Sequence, residues 1–205
     1  MHTLLDGGLE DEEVNRKFLN RADKSVERMI SIVKDLESIT KLESGRLNIS
    51  PVKVDVVELA EDIMDQLEDK ADKHEISIKF DQEYDRPIMV MADKDMVGQV
   101  YTNLIDNSIK YSGDGSKITL RFFDMDKHIL CEVADNGVGI AQEHLPRLFE
   151  RFYRIDKART SNKGGTGLGL AIVKHILEAH EQTINVQSSI ERKSGTTFSF
   201  TLKKA

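Results

Sequence analysis

The chain has 205 residues, 36 acidic against 29 basic side chains, a net charge of −7 and a single cysteine. That acidic, mixed-sign balance supplies no basic stripe for nucleic acid, one cysteine excludes an internal disulfide, and no Cys/His spacing suits zinc. No apolar run approaches the roughly 20 residues of a membrane span, and nothing at Met1 resembles a signal peptide, so a cytoplasmic location is expected.

From about Asp11 to Leu42 the spacing predicts one long helix. Ala22, Val26, Met29, Val33 and Leu36 alternate by four and three, a heptad seam flanked by Lys24, Glu27, Arg28, Lys34, Asp35 and Glu37. Such a stripe needs cover, from a partner helix or from the rest of its own chain. Gly7-Gly8 separates it from the short stretch Met1 to Asp6, and Glu43-Ser-Gly-Arg46 reads as a joint. Two parts are therefore expected, a helical region at 1–46 and a globular domain at 47–205.

Beyond the joint, the pattern predicts a short strand near Leu47 to Val54, a helix from Asp55 to about Asp72, and strands at Glu75 to Phe80 and Ile88 to Met91. Helical spacing returns at Asp95 to Tyr111, where Val97, Val100, Tyr101, Leu104, Ile105 and Ile109 form the apolar stripe. Asn103 and Asn107 lie four apart and share one face, with Lys110 three further on the same side. Asn has poor helix propensity, so two on one face need a reason. Amide oxygens are hard ligands suited to Mg²⁺, and a lysine beside them meets phosphate as a point charge. Local bridging by the two amides is the alternative.

Strands follow at Lys117 to Phe123 and Ile129 to Val133, the latter with its single cysteine, Cys131, as a buried and inert thiol. The second strand delivers Asp135 to its end, followed by Asn-Gly-Val-Gly-Ile140. A carboxylate accepts hydrogen bonds and donates none, which suits the exocyclic amino group of adenine. Gly137 and Gly139 remove side chains and let backbone approach a flat base. Taken alone the segment reads as a turn just as readily.

A short helix is expected at Gln142 to Arg151, with Phe149 and Phe152 as packing residues. The segment Gly164-Gly-Thr-Gly-Leu-Gly-Leu170 then opens the helical pattern Leu168, Leu170, Ile172, Val173, Ile176, Leu177. Unpaired amides at such a start favour phosphate oxygens. Its four glycines allow a segment that folds over a ligand, with Thr166 as a hydroxyl donor. Strands at Thr183 to Ser188 and Thr196 to Leu202 close the chain. Alternating strands covered by helices on one face make this α+β, a two-layer sandwich with a mixed sheet, preceded by the long N-terminal helix.

Five segments in order now resemble those of the sensor histidine kinases of two-component systems, within the ATPase superfamily shared with DNA gyrase and heat-shock chaperones. They are Gln99 to Ser112, Asp135 to Ile140, Leu148-Phe-Glu-Arg-Phe-Tyr-Arg154, Gly164 to Leu170, and Gly195-Thr-Thr-Phe198. The resemblance implies ATP and Mg²⁺ as cofactors. Asn107 and Asn103 would hold the metal, with Asn107 the principal ligand. Lys110 and Arg154 would contact phosphates, as would Arg159 inside the lid; Tyr111 would meet the ribose or base edge and Asp135 the adenine amino group. Gly137, Gly139 and Ile140 would line the base, while Gly165, Thr166, Gly167, Leu168 and Gly169 would form lid hinge and phosphate cradle. Ser194, where a glycine would be more usual, and Glu181, near a helix end where the family often has Gly, depart from the pattern.

Asn103 separates the kinase branch from the hydrolytic ones, which place a Glu there; an amide has no basicity with which to activate water. The resemblance thus implies in-line transfer of the γ-phosphoryl group to a histidine, with Asn107, Lys110 and Arg154 doing the positioning. The family's acceptor segment, His-Glu/Asp-x-x-Thr/Asn-Pro, is not found; His74-Glu75 matches only its first two letters. Met1 to Asp6 resembles the tail of a first dimerisation helix, so a chain beginning after the acceptor is expected, able to bind ATP without phosphorylating itself. The implied partners are a response-regulator receiver domain and a second copy through the helical region, weakened by truncation, with no nucleic acid and no direct membrane contact. The implied parent is a membrane-anchored bacterial sensor. A hydrolysing switch of the gyrase or chaperone type, or a nucleotide-binding module without chemistry, are the alternatives.

Overall fold

Strict two-residue alternation in three adjacent strands sets the centre of the fold. The computed structural model describes residues 12–43, 49–155, 165–191 and 194–205. Within them the order is α1 (Glu12–Glu43), β1 (Val52–Asp55), α2 (Val56–Asp72), β2 (Ser77–Phe80), β3 (Met89–Ala92), α3 (Lys94–Tyr111), β4 (Lys117–Met125) and β5 (His128–Asp135). A 3₁₀ helix (Gln142–Arg147), α4 (Gly169–Ala179), β6 (Ile184–Ser189) and β7 (Gly195–Lys204) complete it. The joint at Ser44 to Arg46 lies outside the described residues, as do Met1 to Asp6, Arg159 and Gly164.

The sheet runs β1-β3-β7-β5-β4-β2, with β6 also paired to β7. Among the described residues only β2 and β4 pair in parallel; the other pairs are antiparallel. Ile118, Leu120 and Phe122 of β4, Ile129, Cys131 and Val133 of β5, and Phe198, Phe200 and Leu202 of β7 all point to one buried face. Against it lie the apolar stripes of α2, α3 and α4, led by Leu59, Val100, Tyr101, Leu104, Ile172 and Ile176. The other face is wetter: Arg121 and Glu132, register partners on β4 and β5, pair there at 3.2 Å. This is the expected sandwich of a mixed sheet with helices on one side, and Cys131 sits inside it with burial pushing its thiol up to about 12.

Carboxylates place the helix starts. Asp55 accepts the Val57 N–H at 3.0 Å, capping α2, and the Ile88 N–H at 3.1 Å, tying that start to the chain entering β3. Asp93 caps α3 through the Met96 N–H at 3.2 Å, and its own N–H donates to Nε2 of His180 at the far end of α4 at 3.1 Å. The expected helix to Arg151 ends at Arg147 as a 3₁₀ turn. Pro146 lacks the N–H that an α-helical continuation needs there.

Helix α4 ends in a paired closure. The Glu181 N–H donates to the Glu178 carbonyl at 2.9 Å and the Gln182 N–H to the Leu177 carbonyl at 2.8 Å, which places Glu181 in the left-handed position where glycine is favoured. Its φ is 58°. Glu181→Gly is therefore expected to stabilise the protein by about 1 kcal/mol, since the left-handed penalty of an L-residue is removed. Urea unfolding checks this, and a midpoint unchanged or lowered would refute it.

Helix α1 lies along α4. Its seam does not face that contact: Val26, Met29, Val33 and Leu36 are all exposed, with Leu19 and Ile30 beside them. The rest of the described chain leaves this apolar stripe uncovered.

Candidate functional site

The end of β5, the pocket face of α3 and the start of α4 meet at one edge of the sandwich. Asp135 closes β5, opposite Thr196 of β7. Its carboxylate accepts the Gly137 N–H at 2.9 Å and the Ser108 hydroxyl at 3.3 Å. Burial pushes its pKa above the ordinary carboxylate range, against the pull of hydrogen bonds from Gly137, Ser108, Ser112 and the Thr196 backbone.

The two glycines that follow serve different needs. A Cβ on Gly137 would lie 2.3 Å from the Cα of Ser112, so its small size lets the loop touch the end of α3. Gly139 has φ +72° and would place a Cβ 1.9 Å from the Ser189 carbonyl oxygen, so conformation and space both demand glycine. Ile140 anchors the loop, its N–H donating to the Ser188 hydroxyl at 2.8 Å, and that hydroxyl in turn donates to the Gly195 carbonyl at 2.7 Å.

On α3, Asn103, Asp106, Asn107 and Lys110 share one face. The Asn103 amide donates to the Gln99 carbonyl at 2.9 Å, the local bridge that helical Asn often makes. Its oxygen faces α4, 2.8 Å from where a Cβ of Gly169 would be. Asn107 is half-buried, and its amide makes no hydrogen bond among the described residues. Lys110 pairs with Asp106 one turn back. Tyr111 is partly exposed, its hydroxyl 3.1 Å from the Cβ position of Gly165.

The described end of the lid reaches α4 through Thr166. Its hydroxyl oxygen accepts the Leu168 N–H at 3.1 Å, and the hydroxyl donates to Asp35 of α1 at 3.0 Å. Among the described residues no side chain caps α4 at its N-cap residue, Leu168, so its first N–H groups keep hydrogen-bonding capacity where Gly169 lies against Asn103. Gly167 meets the aromatic segment from the other side: its carbonyl accepts the Phe152 N–H at 2.9 Å.

Phe149 packs edge-on against Phe198 at 6.5 Å, as expected. Phe152 does not pack. It is 57% exposed, because φ of 61° turns its side chain outward where the chain enters the lid. Arg154 is half-buried beside it. His74 lies in the turn after α2, its Nδ1 2.9 Å from the Asp114 carboxylate in the loop that follows α3.

Sequence spacing singles out Asp135, the loop glycines, Asn107, Lys110 and the start of α4 as candidates, and the fold brings them to one edge. It did not point to Ser108, Thr196, Asp106, Lys70 or Asp35. Ser108 and Asp106 were legible in principle, being on the same helix as the two Asn residues. Lys70 and Asp35 come from other helices, and no local signal marks them. Among the described residues no cluster of three or more His, Cys, Asp or Glu side chains could hold a metal ion, so a cation here would rest on amides and ligand oxygens.

Comparison with known proteins shows the family to which the chain belongs. Residues 92–205 match the family model described as histidine kinase-, DNA gyrase B-, and HSP90-like ATPase. The chain is 36% identical over 205 residues to the sensor histidine kinase WalK of Bacillus subtilis (strain 168), covering 98% of this chain and 33% of WalK. The catalytic domain of histidine kinase ThkA superposes with a TM-score of 0.64 at 28% identity, over 76% of this chain and 96% of that one. ThkA in complex with response regulator protein TrrA superposes at 0.74 and 25% identity, over 95% of this chain and 53% of that one. The chain belongs to the histidine kinase-, DNA gyrase B- and HSP90-like ATPase family, as an ATPase domain of the histidine kinase type. It spans about a third of the length of WalK.

Proposed function

We propose that the pocket between β5, α3 and α4 binds Mg·ATP with adenine at Asp135 and the phosphates toward Lys110, Arg154, Arg159 and the start of α4. The placement of a half-buried acceptor-only carboxylate at the end of β5, with glycine backbone beside it and a phosphate-favouring helix start opposite, carries this assignment. Gly137, Gly139 and Ile140 line the base, Tyr111 meets the ribose edge, and Gly165, Thr166, Gly167, Leu168 and Gly169 cradle the phosphates. The half-buried amide of Asn107, without a hydrogen bond among the described residues, fits a hard cation, with Asn103 a turn away. A bound Mg²⁺ would neutralise developing charge on the phosphates. Lys110, Arg154 and the α4 amides would orient the γ-phosphoryl group and stabilise its charge.

Transfer to a histidine is favoured over hydrolysis by one position. Asn103 stands where a general base would have to be, and its amide is committed to Gln99. Residues 1–46 are proposed as a helical dimerisation region and 47–205 as the ATP-binding domain. The uncovered seam of α1 supports a second copy as its partner, and a response regulator is the proposed recipient of the phosphoryl group, as the ThkA complex names one for that kinase. Among the described residues no helix is long and apolar enough to cross a membrane; a cytoplasmic place within an anchored sensor is part of the same proposal.

The test is incubation with γ-labelled Mg·ATP, alone and with a histidine-bearing helical segment supplied in trans. Base-stable, acid-labile label on the added segment is expected. Free phosphate without protein label would overturn transfer in favour of a hydrolytic switch.

A further inference from the structure

Asp106 is an unexpected neighbour for a phosphate site. It stands beside Asn107 on the pocket face of α3, and a carboxylate there repels a polyphosphate. Its charge is not left alone. One carboxylate oxygen is held by Nζ of Lys110, one turn along α3, and the other by Nζ of Lys70, in the last turn of α2. The chain is folded to make this meeting, since α2 packs directly on α3 while the two residues stand 36 apart in sequence.

The three side chains carry two positive charges and one negative. Without Lys70 the remaining pair would be neutral, and Lys110 could turn to a phosphate only by leaving Asp106 unpaired next to that anion. With Lys70 present, Asp106 keeps a partner when Lys110 moves. Asp106 is largely buried and Lys70 is half-exposed, so the bond is screened on one side only. Burial works to raise the Asp106 carboxyl, and the hydrogen bonds from Lys110 and Lys70 outweigh it, holding the pKa below the ordinary range.

We propose that Lys70 is a positioning residue of the nucleotide site, pairing Asp106 so that Lys110 is free to engage the phosphates. This rests on the Mg·ATP assignment above. Lys70 touches no phosphate; it acts through Asp106.

The test is calorimetric titration of the whole chain with Mg·ATP and, separately, with adenosine, which lacks the phosphates. Lys70→Met keeps the apolar stem and removes the charge. It is expected to weaken Mg·ATP about two- to fivefold, the upper part of the range for a partly exposed charge pair, and to leave adenosine affinity unchanged. Lys70→Arg should restore Mg·ATP binding. In an Asp106→Asn background, Lys70→Met should have no further effect. The same loss in that background would mean direct phosphate contact and would overturn the proposal. Parallel loss of ATP and adenosine would mean a loosened α2 and would overturn it as well. Wild-type binding of Mg·ATP with Lys70→Met unaffected would overturn this proposal alone. A wild-type chain that binds no Mg·ATP would overturn the nucleotide assignment, and this proposal with it.

Discussion

Asp135→Asn is expected to weaken ATP binding by about 30- to 150-fold, or about 2–3 kcal/mol, while leaving the fold as stable or more so. A carboxylate offers only acceptors, and an amide in its place turns an N–H group toward the adenine N–H or must rotate away from Gly137 and Ser108 to avoid it. The stability sign follows from burial. Asp135 has a folded-state pKa above its unfolded value, so the folded chain binds more protons in the window between the two, and stability falls as pH rises through it. At neutral pH the ionised carboxylate is a net cost that Asn removes. Binding has the opposite dependence: ATP affinity should decline on acidification before an ordinary carboxylate would protonate, and Asp135→Asn should show no such step. Titration calorimetry between neutral and mildly acid pH, paired with thermal melts, checks both. A variant within threefold of wild type in ATP affinity would remove Asp135 from the base site.

Gly139→Ala should be the most damaging single methyl in the pocket. The left-handed conformation at φ +72° already penalises a side chain, and the added carbon would lie 1.9 Å from the Ser189 carbonyl oxygen and 2.6 Å from its carbon. Those are backbone atoms at the end of β6, held in register by β7, so they cannot swing aside as a flexible side chain would. Strain and overpacking together should cost about 2–4 kcal/mol. The pull on Ile140, tied to Ser188, should also move the loop out from under the base, so nucleotide affinity should fall with stability. Urea unfolding and ATP titration of the same sample test this; a loss of stability below about 1 kcal/mol would mean that the loop relaxes freely.

The contrast between the two glycines shows where pattern reading stops. From the chain alone, Gly137 and Gly139 look alike, both permissive residues after a carboxylate. In the fold only Gly139 needs positive φ, while Gly137 needs absence of bulk against Ser112. Phe149 and Phe152 look alike too, and only the first is packed. Spacing on a helix or strand assigns a side, but what meets that side comes from another part of the chain. Glu181 is the converse case, a departure visible in the sequence whose left-handed φ gives it a physical meaning.

The sandwich, the order of its elements and the candidate cluster at Asn107, Lys110, Asp135 and the start of α4 are legible in the chain alone. Periodicities of 2 and 3.6 residues and glycine placement are local properties, read without knowing any distant contact. Helix packing is what brings Lys70 to Asp106 across α2 and α3, Asp35 of α1 to Thr166, 131 residues away, and the α1 seam to the outside. Those outcomes depend on how whole helices pack against one another, and a charge on a helix surface carries no sign in the sequence of the partner it will meet.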